Sequence, residues 1–190
     1  MATVLRLLLV SHASTEALRT ARFPADEPLN EAGRRAAGRA ARLNAPHSVV
    51  APELRARETA TELGVTGHVE PELRDIDYGK WRGLSMDDVP PDELTAWLSD
   101  PAASPHGGES IVELIARVRG WLTAVAASGE DTLAVTHPAV VRATVLATLN
   151  SPAESFWRMD VAPLTVTRLH CRDGMWTLRA TGHDSPRLTP

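Results

Sequence analysis

An α/β fold, three layers deep with a mostly parallel central sheet, is what this sequence of 190 residues predicts. Three observations carry that prediction. Leu7-Leu8-Leu9-Val10 is an unbroken apolar run that stops at Ser11-His12, as expected of a strand covered on both faces. Short apolar runs then alternate with helical stretches, which is the mark of parallel strand pairing. Near the end, Asp173-Gly174 sits between two strand-like runs and gives a strong hairpin signal.

Each element follows from local chemistry. Ser14 to Pro28 has no clean period and many turn formers, so it reads as a long loop. Asn30 can cap a helix over Glu31 to Leu43, whose small residues suit close packing on a sheet. Ser48 to Ala51 is a short strand, followed by a helix from Pro52 that Gly64 stops. Thr66 to Val69 is a candidate third strand. Leu73 to Gly83 is polar and punctuated by glycine, and unpatterned loops of this length usually serve function. Pro90-Pro91-Asp92-Glu93 opens a helix to Leu98, and Pro101 to Gly108 breaks the chain again. Ser110-Ile111-Val112-Glu113 is a capping box. It starts a helix to Ala126 with Ile111, Leu114, Ile115, Val118, Leu122 and Val125 on one stripe. Asp131 to Thr136 is a core strand that ends at His137-Pro138, with a helix over Val140 to Leu149. Leu164 to Cys171 and Met175 to Ala180 flank the hairpin turn.

The length fits one domain over 1–190, with 70–108 as an insertion or lid over the strand ends. No apolar run is long enough to span a bilayer, and the start at Met1-Ala2-Thr3 lacks the basic residue of a signal peptide. The expectation is a cytoplasmic protein without a membrane partner. The lone Cys171 excludes an internal disulfide and a multi-cysteine metal site. A net charge of −4 argues against nucleic acid. Lys80 is the only lysine, so any anion site must be built from guanidinium forks.

Two stretches repeat one pattern of apolar, apolar, hydroxyl, histidine, small: Leu9-Val10-Ser11-His12-Ala13 and Ala134-Val135-Thr136-His137-Pro138. If these strands are parallel neighbours, both imidazoles reach the rim where open α/β sheets bind ligands. Arg55, at the start of a helix after another strand, completes a phosphate-shaped constellation.

These residues resemble the histidine phosphatase superfamily, the phosphoglycerate mutase-like fold, over most of the chain from Leu7 to His183. Ser11-His12-Ala13 stands where the family has an Arg-His-Gly motif. Further resemblance lies in Arg22-Phe23, Pro28 to Ala36, Ala51 to Ala60 and Leu73-Arg74-Asp75. It continues through Gly79 to Gly83, Gly108-Glu109-Ser110, and Val135-Thr136-His137 with Arg142 behind. The resemblance implies a metal-independent phosphomonoesterase without a cofactor, acting on a small phosphorylated metabolite. His12 is then the nucleophile that becomes a phosphohistidine. Asp75 is the general acid and base, with Asp77 as the alternative if the loop register slips. Arg55 and His137 hold the phosphoryl oxygens.

The departures from the family weaken the anion site. Ser11 replaces an arginine, Ala13 a glycine, Leu18 an asparagine, Ala51 a serine and Pro138 a glycine. The phosphate-binding set is therefore Arg55 with Ser11, Thr15, Arg19 and Arg22, the last two standing in for the missing arginine. Arg57 faces elsewhere, two positions from Arg55. Tyr78 and Trp81 read as packing, His106 as a surface loop residue, and His47, His68, His170 and His183 as structural. The other class of function is a family member that binds an anionic ligand or a protein partner without turnover. The oligomeric state, a homodimer included, stays open.

Overall fold

The computed structural model describes residues 4–40, 43, 45 and 47–184. The three N-terminal residues used above against a signal peptide lie outside them, as do residues 41 and 42 of the helix expected over Glu31 to Leu43. In chain order the elements begin with β1 (Leu5–Ser11), α1 (Glu16–Arg19), α2 (Glu31–Arg39), β2 (His47–Val50), α3 (Leu54–Leu63) and β3 (His68–Val69). They continue with α4 (Pro91–Ser99), α5 (Ile111–Ser128), β4 (Thr132–Thr136), α6 (Pro138–Leu149), β5 (Thr165–Arg172) and β6 (Met175–Asp184).

The strands form one sheet in the order β3-β2-β4-β1-β5-β6. β3, β2, β4 and β1 run parallel, and the β5–β6 hairpin adds to β1 antiparallel, so the sheet is mixed. α2 packs on α3 and α5 on α6, giving helical layers about the sheet in an α/β/α arrangement. The central β4, Thr-Leu-Ala-Val-Thr, is buried at every position. β1 departs slightly from its expected continuous burial: Leu7, Leu9 and Val10 are sealed, while Leu8 is half-buried.

Local chemistry places most boundaries. Asn30 accepts from the Gly33 amide and starts α2, and Gly64 ends α3 in the left-handed conformation at φ 70°. The capping box of Ser110 and Glu113 is formed, and the α5 stripe is buried together with Trp121. α6 begins two residues before expectation because Pro138 takes its first helical position. There the missing N–H costs nothing and the fixed φ suits the helix. β3 shrinks to two residues at the sheet edge. The loop over 14–28 contains α1, a single turn capped by the Thr15 hydroxyl.

Residues 70–108 carry three 3-10 turns and α4. Gly79 and Gly108 cross so closely that a Cβ on Gly108 would meet the Asp77 carbonyl oxygen at 2.0 Å, which only glycine permits. Phe23, Trp81 and Trp97 meet in this segment with ring centroids 5.0–5.8 Å apart. Trp81 is packing, as expected. His106 is not a surface residue: it is 2% exposed, 4.9 Å from the Trp81 ring, and its Nδ1 accepts from the Gly108 amide. An aromatic cluster assembled from distant segments drew it in. Among the described residues no helix is long and apolar enough to cross a membrane.

Candidate active site

β1 and β4 are hydrogen-bonded neighbours with Ser11 opposite Thr136, so both strands stop at the same level. The His12 amide donates to the Thr136 carbonyl at 2.8 Å, and the two imidazole centroids lie 5.2 Å apart. The sequence pattern thus brings both rings to one rim. Their fates there differ.

His12 Nδ1 lies 2.8 Å from the carbonyl oxygen of Ala13. A carbonyl only accepts, so Nδ1 carries the proton and Nε2 the lone pair. The side chain opens onto a cavity of about 330 Å³. Burial, then the His137 and Arg55 charges, lower its pKa from 6.5 to about 3, keeping the ring neutral at physiological pH. The turn beyond it is fixed by the Ala13 amide donating to Thr59 Oγ1, which in turn donates to the Arg55 carbonyl.

His137 is fully buried and lines neither that cavity nor the cleft beside it. Its Nε2 is 2.7 Å from Glu53 Oε2, and its Nδ1 is 3.6 Å from Asp75 Oδ2. The resemblance implies a direct grip of His137 on a phosphoryl oxygen; here the ring stands behind Asp75 and not among the residues lining the cavity. Only Nε2 is bonded, to Glu53; Nδ1 faces Asp75 across 3.6 Å and is buried without a hydrogen-bond partner. Glu53 was not foreseen, although it broke a local rule: it occupies the N-cap of α3 and makes no capping bond. Its other oxygen accepts from the Asp75 amide, so one carboxylate fixes both a ring and a loop. Burial alone would raise the Glu53 pKa; the bond to His137 and its charge take it below the ordinary value.

Arg55 is 2% exposed. Nη2 donates to Asp75 Oδ2 at 2.6 Å, Nη1 donates to the Ala25 carbonyl at 2.8 Å, and Nε is buried with no partner. Asp75 reaches the same cavity as His12 and Arg55. Burial works to raise its pKa, but His137, Arg55 and His12 outweigh it and hold the carboxyl below its usual value. Asp77 is not an alternative in this arrangement. It accepts from the Gly79 amide and from Arg82, and faces the neighbouring cleft without reaching His12.

The auxiliary anion ligands are largely redistributed. Ser11 is buried, and its hydroxyl donates to Ala162 O at 2.6 Å while accepting from the Thr165 amide at 3.1 Å. It fastens β1 to the start of β5 and does not line the cup. Arg19 is also out of the cup, turned to Glu16 on the exposed face of α1. The i, i+3 spacing on one helical turn favours that pair over a reach inward. Thr15 and Arg22 do line the cavity. Thr15 Oγ1 is already the cap of α1, and Arg22 Nη1 donates to Gly83 O at 3.1 Å. Arg57 is exposed on α3, as expected. Three further charged residues, Arg142, Glu27 and Asp160, line the cavity. Arg142, which follows the Val135-Thr136-His137 stretch, donates from Nε to Met159 O. Glu27 lies near Arg55 with both carboxylate oxygens buried and unpaired, and nothing in the sequence singled it out.

The result is an α/β protein that presents one free imidazole nitrogen, a buried guanidinium and an ionised carboxylate at its parallel strand ends. The chain belongs to the histidine phosphatase superfamily (branch 1), whose family model matches residues 7–184. It is similar to a bifunctional protein of Mycobacterium tuberculosis, 30% identical over 195 residues, which covers 93% of this chain and 53% of that protein. The chain thus spans about half the length of that relative. A glucosyl-3-phosphoglycerate phosphatase of the same organism is 35% identical over 136 residues, covering 65% of this chain and 61% of the relative. The solved native structure of the mycobacterial glucosyl-3-phosphoglycerate phosphatase superposes with a TM-score of 0.79 at 27% identity, covering 93% of this chain and 97% of that one.

Proposed function

We propose that the protein is a phosphomonoesterase for a small phosphorylated metabolite, working through a phosphohistidine on His12 without a metal ion. The observation that carries this reading is the bond from His12 Nδ1–H to the Ala13 carbonyl, which leaves Nε2 with its lone pair at a cavity lined by Arg22, Arg55 and Arg142 as well as by Glu27, Asp75 and Asp160. The named phosphatase relatives support the reaction class.

In the first step Nε2 attacks phosphorus and the P–O ester bond breaks, while Arg55 stabilises the equatorial oxygens. The leaving oxygen takes a proton from Asp75. At rest Asp75 is ionised, so that proton must arrive with the ester or from solvent. A bound phosphoryl group competes with Asp75 for Arg55 and adds negative charge nearby, and both effects raise the carboxylate's proton affinity. In the second step water attacks phosphorus, Asp75 accepts its proton, and the P–N bond breaks to return the lone pair to His12. His137, held by Glu53, acts behind Asp75 as a positioning group.

The test is hydrolysis of an aryl phosphate in the presence of a chelator, with acid-labile phosphate trapped on the protein. Turnover and trapped phosphate in the wild type, both lost in His12→Ala, are the expected result. Absence of turnover and of trapped phosphate across a broad panel of esters would leave the chain as a binding member of the superfamily. Ser11 favours that second reading, because the motif arginine is missing and the hydroxyl in its place is spent on β5.

A further inference from the structure

The cavity onto which His12 opens is unequal along its length. Beside the nucleophile it is charged, with Arg55, Asp75 and Glu27. Farther out its wall is Leu18, Met86, Leu98 and Trp157, which are 48%, 45%, 49% and 37% exposed. Single exposed apolar side chains are ordinary on a soluble protein. Here four of the eight large exposed hydrophobic residues among those described converge on one cleft. They come from α1, a 3-10 turn, α4 and the turn over Ala153–Arg158, so no local pattern explains their meeting.

The wall is built rigidly. The Trp157 ring lies 4.6 Å from Trp97 and 4.9 Å from Phe156, and the Arg142 guanidinium packs over it at 5.7 Å. The polar groups that also line the cavity are partly engaged: Arg22 gives one N–H to Gly83 O and Arg142 gives its Nε–H to Met159 O, with Asp160 beside it. A second cleft beyond Arg55 and Asp75 is polar, lined by Asp26, Arg74, Asp77 and Arg82, but it does not include His12. For an ester with its phosphorus at His12, these four side chains are the largest apolar surface within the same cavity.

We propose that the site prefers phosphomonoesters with an apolar alcohol portion, alkyl or aryl phosphates, over sugar and amino-acid phosphates. This rests on the phosphatase reading above. Three of the four wall residues are aliphatic and offer nothing to a hydroxyl or an ammonium group, and leaving such groups unpaired against them loses affinity. Burying methylenes there gains it.

The test uses n-alkylphosphonates from methyl to hexyl, titrated into the whole protein by calorimetry. Their C–P bond is not transferred to His12, so binding is read whether or not the protein turns over. The expected Kd tightens roughly fourfold per methylene until the wall is covered. Leu98→Asn flattens the series, and the phosphonate analogue of phosphoserine binds no tighter than methylphosphonate. A Kd independent of chain length, or strongest binding of the amino-acid phosphonate, overturns the proposal even if esters are hydrolysed. An intact length dependence without any ester turnover removes the phosphatase reading alone, and failure of every phosphonate to bind removes both. A wild-type dimer in sedimentation velocity that Leu98→Asn dissociates, together with a flat series, assigns the wall to a second copy of the chain and likewise overturns the proposal.

Discussion

The ends of β1 and β4 share one sequence pattern and opposite chemistry. Both strands finish in a buried hydroxyl that ties the strand to a distant loop. Ser11 donates to Ala162 O, and Thr136 donates to Leu73 O at 2.9 Å. Both continue into a histidine. At β1 that ring is held through one nitrogen by a neutral carbonyl, and the other nitrogen is left for chemistry. At β4 the ring is buried, with Nε2 bonded to Glu53 and Nδ1 facing Asp75 at 3.6 Å without a hydrogen bond. What separates the proposed nucleophile from its support is therefore the partner of each ring: the next residue's carbonyl for His12, and for His137 carboxylates brought by the start of α3 and the Asp75 loop. Where a histidine sits in a fold is a weaker statement than what holds it.

The contrast can be broken from either side. The largest effect belongs to the free ring: His12→Ala is expected to lower kcat by about 10⁴-fold or more, since no other group supplies the nucleophile. Steady-state kinetics on an aryl phosphate checks this, and residual activity within tenfold of wild type would contradict the assignment. Next is Arg55→Lys, which keeps the charge but loses the fork that serves Ala25 and Asp75 and, in the proposed reaction, the phosphoryl oxygens. A loss of about 10²–10³ in kcat/KM is expected. On the supported ring the effect is smaller. Glu53→Gln exchanges a charge-assisted bond for a neutral one, a difference of about 1 kcal/mol. That predicts a five- to tenfold loss in kcat with a displaced pH profile, whereas a change in KM alone would mean Glu53 serves only binding.

Two further expectations concern stability. Between its folded value of about 3 and the ordinary 6.5, His12 stays neutral in the native protein while the unfolded chain binds a proton. Stability therefore falls as pH is lowered through that window, by at most about 1.4 kcal/mol per pH unit from this group. Asp75 and Glu53, both depressed, add to the loss at the lower end, because their contribution is present above the ordinary carboxylate values and disappears as they protonate. Urea titrations from pH 4 to 6.5 should show the slope, and His12→Asn should shallow it without removing it, since burial also lowers His106. The smallest effect on activity is expected at the strand-end hydroxyl. Ser11→Ala leaves the Thr165 amide without its acceptor, costing about 1–3 kcal/mol in stability, while kcat changes less than threefold. A large drop in kcat would return Ser11 to the anion cup.

Much of the fold was legible because its signals are local. The apolar run of β1, the Ser110–Glu113 capping box, Gly64 and the Asp173-Gly174 turn each state a backbone requirement within a few residues. The pairing of β1 with β4 was legible too, since the repeated hydroxyl–histidine pattern marks two strands that end at one rim. His106 and Glu53 were misread or missed for a common reason: each is defined by neighbours far away in the chain, Trp81 and Trp97 for one and His137 for the other.

The order of residues alone settled where β1 and β4 stop and which histidines, arginine and aspartate stand near those ends, whereas β6 runs to Asp184, past the expected Ala180. Three-dimensional packing decided the rest: that Arg55 grips Asp75, that Arg19 turns out to Glu16, and that four exposed apolar side chains gather beside His12. Backbone preferences act over a single turn and can be read from neighbours. The state of a titratable group depends on every charge and every apolar wall within a few ångströms, and the chain brings those together only when it folds.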